Sequence, residues 1–398
     1  MDHDGDGVAL NDVLADPGIG TSLLRQGPVH RAVLPNGMPV WLVVGYDEAI
    51  AALSDQRLSV AAMMAAGALD GGRLSPDMRN ALLGSLTNTD PPGHTRLRRL
   101  VSSVFTARRV EAMRPWISHL TSELIDGFAQ HDQVDLMAEF ATPLPILVIT
   151  ELLGIPEAGR PQLRALSRTL IAGLGSADFP VQDATDFVEY LRGLIAHRRD
   201  DPDEALISAL IRARNESGAL SENELTAIIF LMIIAGHDTT LSLIGNGVYL
   251  LMTRPDRAAR LRGDPSLLPA AIEEFLRLES PVPTANFRAA VDSFEIGGTR
   301  ISAGDLVAIS LQVANRDDSQ FSDPSRFDPA RTEGRQLAFG HGIHYCLGAP
   351  LARLEGELAI GTLLKRFPSL RLAVPAAELT WSQATFVHRL EKLPLLLS

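Results

Sequence analysis

Cysteine and lysine are nearly absent from this chain of 398 residues. Cys346 is the single cysteine, so no disulfide can form within the chain and a reducing compartment is expected. Lys365 and Lys392 are the only lysines, and acidic residues exceed basic ones, 48 to 36. The resulting net charge of −12 argues against nucleic acid as a partner. Aromatic residues make up only 5 % of the chain and give no strong stacking signature for a ligand.

The chain also lacks a long uninterrupted apolar run. The most apolar stretch, Ala227 to Ala235, is shorter than the about 20 residues that span a bilayer, and it leads into His237 and Asp238. The N-terminus, residues 1–6, is acidic and polar and has no signal-peptide pattern. We therefore expect a cytoplasmic protein that does not contact a membrane.

Apolar residues at helical spacing dominate the chain from His94 onward. They predict helices over 106–130 and 136–153, the second kinked or divided by Pro143 and Pro145. The residues from 57 to 92 contain several glycines and predict an irregular loop.

Strand patterns are confined to smaller regions. Two alternating runs, Val29 to Leu34 and Val40 to Val44, flank the turn Pro35-Asn36-Gly37 and predict a β-hairpin. The fold class is therefore mainly α with a smaller β region. We expect one domain over 1–398, with β-rich parts at about 29–53 and 282–310 and a C-terminal β segment.

The clearest predicted helix begins at Ser221, whose Ser-Glu-Asn-Glu sequence forms a capping box. It should run to about Thr253, roughly 50 Å, and be buried because its middle is apolar on all sides. The segment 235–240, Ala-Gly-His-Asp-Thr-Thr, interrupts that middle with residue types that are unfavourable in a buried helix. Either the hydroxyls bond back to the helix backbone, or the segment is functional.

Cys346 lies in the segment 339–348, Phe-Gly-His-Gly-Ile-His-Tyr-Cys-Leu-Gly. A lone cysteine is usually a small buried hydrophobe. Three glycines, a phenylalanine and a histidine at fixed spacing argue against that reading. A thiolate can be a strong axial ligand to iron, and flanking glycines would let a flat macrocycle approach the backbone closely. A helix beginning near Leu347 would direct its positive end at the sulfur and favour the thiolate.

A Glu-x-x-Arg pair, Glu274 and Arg277, lies on a helix predicted over about 265–280. At this spacing both side chains share one helix face. On a surface such a pair contributes about 0–1 kcal/mol. Here the neighbours Ile272, Phe275 and Leu276 are apolar, which favours a buried pair.

In combination, these motifs resemble the cytochrome P450 haem-thiolate monooxygenases. The resemblance implies a P450 fold with haem b held between the long central helix and the cysteine-ligand helix. Cys346 would be the axial ligand of the iron. The other cofactor-binding residues would be Ala235 and Gly236 on the long helix and Phe339, Gly340, His344 and Gly348 in the cysteine loop, with His344 bonded to a propionate. Asp238 and Thr239 would be catalytic: Thr239 would hydrogen-bond the dioxygen under activation, and Asp238 would relay protons.

Further roles follow from the same resemblance. His94 and Arg98, in the stretch 90–98, and Arg288 would bind the haem propionates. Arg326 would join Glu274 and Arg277 in a structural group that holds the cysteine loop. The substrate pocket would draw on Ile234, Val282, Pro283, Thr284 and Phe386.

The implied activity is hydroxylation or epoxidation of a lipophilic small molecule, a secondary metabolite such as a macrolide, terpenoid or steroid. Dioxygen and NAD(P)H-derived electrons, delivered through ferredoxin reductase and ferredoxin to a monomer, would drive it. Two alternatives stay open: a peroxide-driven or rearranging haem-thiolate enzyme, or a haem-based sensor, neither of which needs the Asp238–Thr239 pair.

Basic residues are concentrated between His94 and Trp116, where six arginines face only Glu111. This island is either an ordinary solvated face or a docking patch for an acidic redox partner. Its members are Arg96, Arg98, Arg99, Arg108, Arg109 and Arg114.

Overall fold

The computed structural model of the protein describes residues 7–65, 73–173, 179–217, 220–382 and 387–398. Helices account for most of these residues, so the predicted fold class, mainly α with a smaller β region, is confirmed. The α-helices are α1 (Leu10–Ala15), α2 (Pro17–Gln26), α3 (Tyr46–Ser54), α4 (Val60–Ala65), α5 (Pro76–Leu83), α6 (Gly93–Val104), α7 (Ala107–Ala112), α8 (Arg114–Phe128), α9 (Pro143–Leu153), α10 (Arg160–Gly173), α11 (Val181–Asp200), α12 (Leu206–Ser217), α13 (Glu222–Met252), α14 (Pro255–Gly263), α15 (Leu268–Leu278), α16 (Leu311–Ala314) and α17 (Ala349–Arg366).

The strands are short, and all but β5 lie before residue 60 or after residue 287. They are β1 (Val8–Ala9), β2 (Val29–Val33), β3 (Pro39–Val43), β4 (Leu58–Ser59), β5 (Gln133–Asp135), β6 (Arg288–Ala290), β7 (Phe294–Ile296), β8 (Thr299–Ile301), β9 (Leu306–Ile309), β10 (Arg371–Leu372) and β11 (Pro394–Leu396). Among the described residues they form a mixed sheet in the order β1-β2-β3-β9-β6-β4, a second sheet β10-β11-β5 and the hairpin β7-β8.

The predicted hairpin is β2 and β3, antiparallel with Val29 opposite Val43. Gly37 closes its turn at φ +81°, a conformation that glycine adopts without steric cost. Strand β9 then pairs in parallel with β3, and β6 pairs with β9. This arrangement brings residues near 288 next to the N-terminal sheet.

The long central helix α13 begins one residue after Ser221, which accepts the N–H of Glu224 while the Glu224 carboxylate accepts the N–H of Ser221. The capping box predicted from the sequence is therefore present. By length and composition α13 is the one described helix that could cross a membrane, but 61 % of its most apolar window is buried inside the protein. Its apolar character is explained by packing against α5, α9, α15 and α17.

Three boundaries differ from the sequence prediction. The described residues between 57 and 92 are not irregular throughout, because they form β4, α4 and α5. The helix predicted over 106–130 is two helices, α7 and α8, which meet at Met113 just before Arg114-Pro115. The helix predicted over 136–153 is divided into a π-helix (Met137–Ala141) and α9. Pro143 is the first residue of α9, so the division falls where the prolines predicted it.

Candidate active site

The cysteine loop, residues 339–348, is a compact turn that precedes α17. The Cys346 N–H donates to the Phe339 carbonyl at 2.9 Å, which closes the loop on itself. Arg353 lies over the Phe339 ring at 4.5 Å from its centroid, and Tyr345 contacts the same ring edge to face. These contacts fix the backbone that carries the sulfur.

Two glycines of the loop have left-handed backbones. Gly340 (φ +72°) lines the cavity described below, and a Cβ there would meet nothing within 4 Å, so the backbone is open to a flat ligand. At Gly342 (φ +71°) a close contact excludes a side chain, because an added Cβ would lie 3.0 Å from the Leu53 carbonyl oxygen. The loop thus needs glycine at 342 to pack on α3.

The Cys346 thiol is pulled in two directions. Burial raises its pKa, and the backbone N–H groups of Gly348 and Ala349 and the charge of Arg98 oppose that effect. The backbone N–H groups at the start of α17 therefore act in the predicted direction, toward the thiolate, but burial outweighs them and the net direction of the pKa is upward. A bound cation would have to deprotonate the thiol.

The Glu274–Arg277 pair is buried on α15, with side chains 6 % and 1 % exposed. All five N–H groups of Arg277 have acceptors. Nε and Nη2 donate to the Glu274 carboxylate at 2.6 and 2.9 Å, and the other bonds go to the carbonyls of Asn315, Pro324 and Arg326. This guanidinium therefore organises the coil that precedes the cysteine loop.

The third member of the group is Arg331, and the prediction of the Arg326 side chain in that position is wrong. Arg326 is exposed and contributes its carbonyl, as the preceding coil turns its side chain to solvent. The Arg331 side chain is only 7 % exposed, and its Nε lies 3.5 Å from a Glu274 oxygen. No periodic pattern in this coil distinguishes the two arginines in the sequence.

Asn315, which the sequence did not suggest, connects the group to the cysteine loop. Its carbonyl accepts from Arg277, and its side-chain oxygen accepts the N–H of Leu337 at 2.6 Å. Leu337 comes two residues before Phe339, and its carbonyl accepts the N–H of Gly340 at 2.7 Å. A continuous chain of hydrogen bonds therefore runs from α15 to the loop.

A cavity of about 320 Å³ lies between α13 and the cysteine loop. Its apolar walls include Ile149, Ile228, Leu231 and Leu243. Twelve of the residues assigned from the resemblance to haem binding, catalysis or the substrate pocket also line it: His94, Arg98, Ala235, Gly236, Thr239, Val282, Arg288, Phe339, Gly340, His344, Cys346 and Gly348. Residues more than 200 positions apart thus meet around one space.

Other predicted residues lie elsewhere. Ile234 and Asp238 are absent from the cavity wall, because the α13 residues that line it lie on one side of the helix and these two lie on the other. The lining positions of α13 are 228, 231, 232, 235, 236, 239, 240 and 243. Pro283 and Thr284 are turned to the β9–α16 connection, where the Pro283 carbonyl accepts from Gln312 and Thr284 pairs with Ser310. Val282 is joined in the wall by Ala285 and Asn286 instead. Phe386 lies outside the described residues.

One end of the cavity holds four basic side chains: His94, Arg98, Arg288 and His344. The two imidazole rings lie 4.5 Å apart. Burial lowers the pKa of all four groups, to about 4 for His344, where the charges of His94 and Arg288 add to the effect, and to about 10 for Arg288. In the described parts of the chain no ion pair joins any of them to a carboxylate, and both ring nitrogens of His94 are buried without a partner.

This donor set fits haem. Two propionates would supply the carboxylates that the basic groups lack, and a thiol at the other side of the same cavity would supply an iron ligand. Among the described residues no three His, Cys, Asp or Glu side chains come together. Cys346 therefore suits a metal whose remaining ligands come from a macrocycle.

Gly236 and Thr239 have local roles in α13 as well. A Cβ on Gly236 would lie 3.0 Å from Cγ1 of Ile149, so this glycine also allows α9 to cross close to α13. The Thr239 hydroxyl donates to the Ala235 carbonyl at 2.7 Å and remains in the cavity wall. Its oxygen can still accept a hydrogen bond from a group or water in the cavity.

The basic island is smaller than the sequence indicated. Arg96 pairs with Glu224, Arg114 pairs with Glu111 and Glu357, and Arg98 lines the cavity. Arg109 is half-buried and donates to the Glu204 carbonyl. Arg99 and Arg108 remain exposed.

The comparisons with known proteins agree with this geometry. A family model described as "Cytochrome P450" matches residues 159–371. "Cytochrome P450 107B1" of Saccharopolyspora erythraea is 44 % identical over 380 residues, 94 % of this chain and 93 % of the relative. The "6-deoxyerythronolide B hydroxylase" of the same organism is 43 % identical and covers 90 % of each chain. The solved structure of the "tirandamycin C-bound P450 monooxygenase TamI" is 42 % identical with a TM-score of 0.89, covering 98 % of this chain and 100 % of that one.

Proposed function

Because this chain belongs to the cytochrome P450 family, we propose that it hydroxylates or epoxidises a lipophilic secondary metabolite of the polyketide or macrolide type. It is a monooxygenase, as its named relatives are. The substrate class is supported by the relatives, one named for a deoxyerythronolide and one for its complex with tirandamycin C. The apolar cavity walls formed by Ile149, Ile228, Leu231 and Leu243 suit such a ligand.

One observation carries the proposal: the only thiol, four basic side chains and Thr239 line the same apolar cavity. When bound there, haem b supplies dioxygen activation and the transfer of one oxygen atom to carbon. Cys346 would hold the iron, and the four basic groups would neutralise the propionates. Ala235, Gly236, Phe339, Gly340 and Gly348 would contact the macrocycle.

Thr239 and Asp238 would control protons. Thr239, whose proton is donated to the Ala235 carbonyl, would accept a hydrogen bond from a water in the cavity and hold that water beside the dioxygen. Asp238, on the neighbouring face of α13, would exchange protons with solvent. A peroxide-driven enzyme would not need this pair. The substrate would lie between α13 and the wall at Val282.

The direct test replaces Thr239 by alanine and measures product formed per NADPH consumed. We expect a loss of about tenfold or more with haem content unchanged, because a positioned proton-transfer group typically contributes about 10²–10⁴-fold to a rate. Thr226→Ala is the matched control, because Thr226 makes the same bond to the helix backbone in α13 at 2.9 Å but is not in the cavity wall. Equal yields from both variants would contradict the role of Thr239, and full turnover with peroxide alone would select the peroxide-driven alternative.

Ferredoxin and ferredoxin reductase would deliver the electrons, and the exposed Arg99 and Arg108 would attract the acidic ferredoxin. Reversal of both to glutamate should raise the KM for ferredoxin and flatten its dependence on salt. Arg300→Glu, an exposed reversal on β8, is the control. An unchanged KM in the double reversal would place the docking surface elsewhere.

A further inference from the structure

The Asp238 carboxylate has a partner that neither the sequence motif nor the cavity suggested. Arg389 Nη1 lies 3.3 Å from Asp238 Oδ1, across 151 positions of sequence. The Asp238 side chain is 10 % exposed and that of Arg389 is 37 % exposed. The nearly buried carboxylate is therefore paired with a cation that extends to the surface.

His237 completes the surroundings of the carboxylate. Its Nε2 lies 3.6 Å from the same Asp238 oxygen, while its Nδ1 bonds to the Ile233 carbonyl at 2.8 Å. That second bond holds the ring against α13. Asp238 therefore lies between the His237 imidazole, fixed by its bond to α13, and the longer Arg389 side chain, which comes from the C-terminal segment.

The backbone that carries Arg389 is fixed from several sides. The Arg389 carbonyl accepts the N–H of Ser382 at 2.8 Å, and the His388 N–H donates to the Pro281 carbonyl at 2.9 Å. Asn246 of α13 donates to the His388 carbonyl at 3.0 Å, and the His388 ring stacks on Trp381 with centroids 4.2 Å apart. A long side chain on so well-anchored a backbone can hold its partner in one place.

We propose that Arg389 is a positioning residue that holds the Asp238 carboxylate at the solvent end of the proton route to Thr239. This inference rests on the proposed function. Arginine stays protonated and cannot carry the proton itself, so its contribution is orientation and charge. The carboxylate takes a proton from solvent water on its exposed side, releases one toward the cavity and returns to the charged form that Arg389 holds.

The arrangement also divides the tasks between faces of α13. Thr239 faces the cavity, whereas Asp238 faces Arg389 and His237. Without Arg389 the carboxylate would keep only the imidazole beside it and could rotate on its χ angles. Proton supply would then be slower than the supply of electrons, and reduced oxygen would leave without product.

The experiment compares Arg389→Gln, Arg389→Lys, Asp238→Asn and the double variant Asp238→Asn/Arg389→Gln, all loaded with haem. We expect Arg389→Gln to lower product per NADPH by threefold or more and to raise the solvent deuterium isotope effect on turnover. Arg389→Lys, which keeps the charge, should recover most of the yield. The double variant should be no worse than Asp238→Asn alone, because both changes break the same contact.

A readout independent of turnover is the urea unfolding of the unaltered protein, Arg389→Gln, Asp238→Asn and the double variant, which together form a double-mutant cycle. The cycle should show that the pair couples by a factor of about three to five in the unfolding equilibrium constant. Haem content and the spin-state shift on substrate binding should stay unchanged in Arg389→Gln.

Each other outcome overturns a definite statement. A normal yield in Arg389→Gln with an impaired Asp238→Asn would refute the role of Arg389 and leave the proposed function intact. Additive losses in the double variant would show that the two residues act separately. A normal yield in Asp238→Asn would refute the proton relay of the proposed function and this inference with it.

Discussion

The buried pair on α15 offers a sharp comparison, because the neighbouring residue makes a similar pair at the surface. Glu274 and Glu273 each accept two bonds from one arginine, at 2.6 and 2.9 Å from Arg277 and at 2.6 and 3.0 Å from Arg353. The side chains of the first pair are 6 % and 1 % exposed, and those of the second are 38 % and 35 % exposed. Burial is therefore the main difference between them.

We predict that Glu274→Gln lowers the free energy of unfolding by about 3–5 kcal/mol, the scale measured when one partner of a buried pair is removed. The amide keeps the shape of the side chain but leaves the Arg277 charge buried. In the unaltered protein the Asp328 N–H donates to Glu274 Oε2 at 2.9 Å, and the substitution also weakens this hydrogen bond. Glu273→Gln should lower the free energy of unfolding by only about 0–1 kcal/mol, because water can solvate the partly exposed Arg353 guanidinium that loses its charged partner.

Urea unfolding followed by circular dichroism measures both values on haem-loaded protein, and haem release can be followed in the same samples. The hydrogen-bond chain through Asn315 predicts that Glu274→Gln also loosens the cysteine loop and releases haem at lower urea than Glu273→Gln. If the two variants differ by less than about 1 kcal/mol, the structural role of the buried group is refuted.

Three further outcomes follow from other sites. Gly247→Ala should destabilise the protein by about 1–3 kcal/mol, because the added Cβ would lie 2.8 Å from Ile360 Cδ1. Gly127→Ala should instead stabilise α8 by about 0.5–1 kcal/mol, because its Cβ would meet nothing within 4 Å. Urea unfolding measures both changes. Burial raises the pKa of Glu355 well above its ordinary value of 4.5. The folded protein therefore keeps a proton that the unfolded chain loses as the pH rises above that ordinary value, and folding becomes less favourable over this range. Glu355→Gln should therefore match the unaltered protein in stability near pH 4 and exceed it near pH 8, and a difference that does not grow with pH would contradict the buried position. Arg98→Gln should weaken haem binding about tenfold or more, since a charge-assisted hydrogen bond to a carboxylate contributes about 1.5–3 kcal/mol. Titration of the apoprotein with haem measures this affinity, and an unchanged value would show that Arg98 does not bind a propionate.

Local motifs predicted much of the fold. Asn36-Gly37 between two alternating runs specified the hairpin, and the capping box at Ser221 located the start of α13. The resemblance to cytochromes P450 supplied what spacing alone could not, the meeting of Cys346 with residues near 94, 236 and 288 around one cavity.

Contacts that depend on the path of coils could not be predicted. Arg331 rather than Arg326 turns inward within a segment that has no periodic pattern. Arg389 reaches Asp238 across 151 positions, and no local signal marks such a pair. Ile234 is different, because helical spacing alone places it on another face of α13 from Ala235 and Thr239.

The absorption spectrum of the ferrous carbon monoxide complex tests the central claim, that Cys346 is the thiolate ligand of a haem iron. The account predicts the red-shifted Soret band of a thiolate-ligated haem in the unaltered protein and its loss in Cys346→His, with haem still bound. A nitrogen-type spectrum in the unaltered protein, or a red-shifted band that persists in Cys346→His, would contradict it.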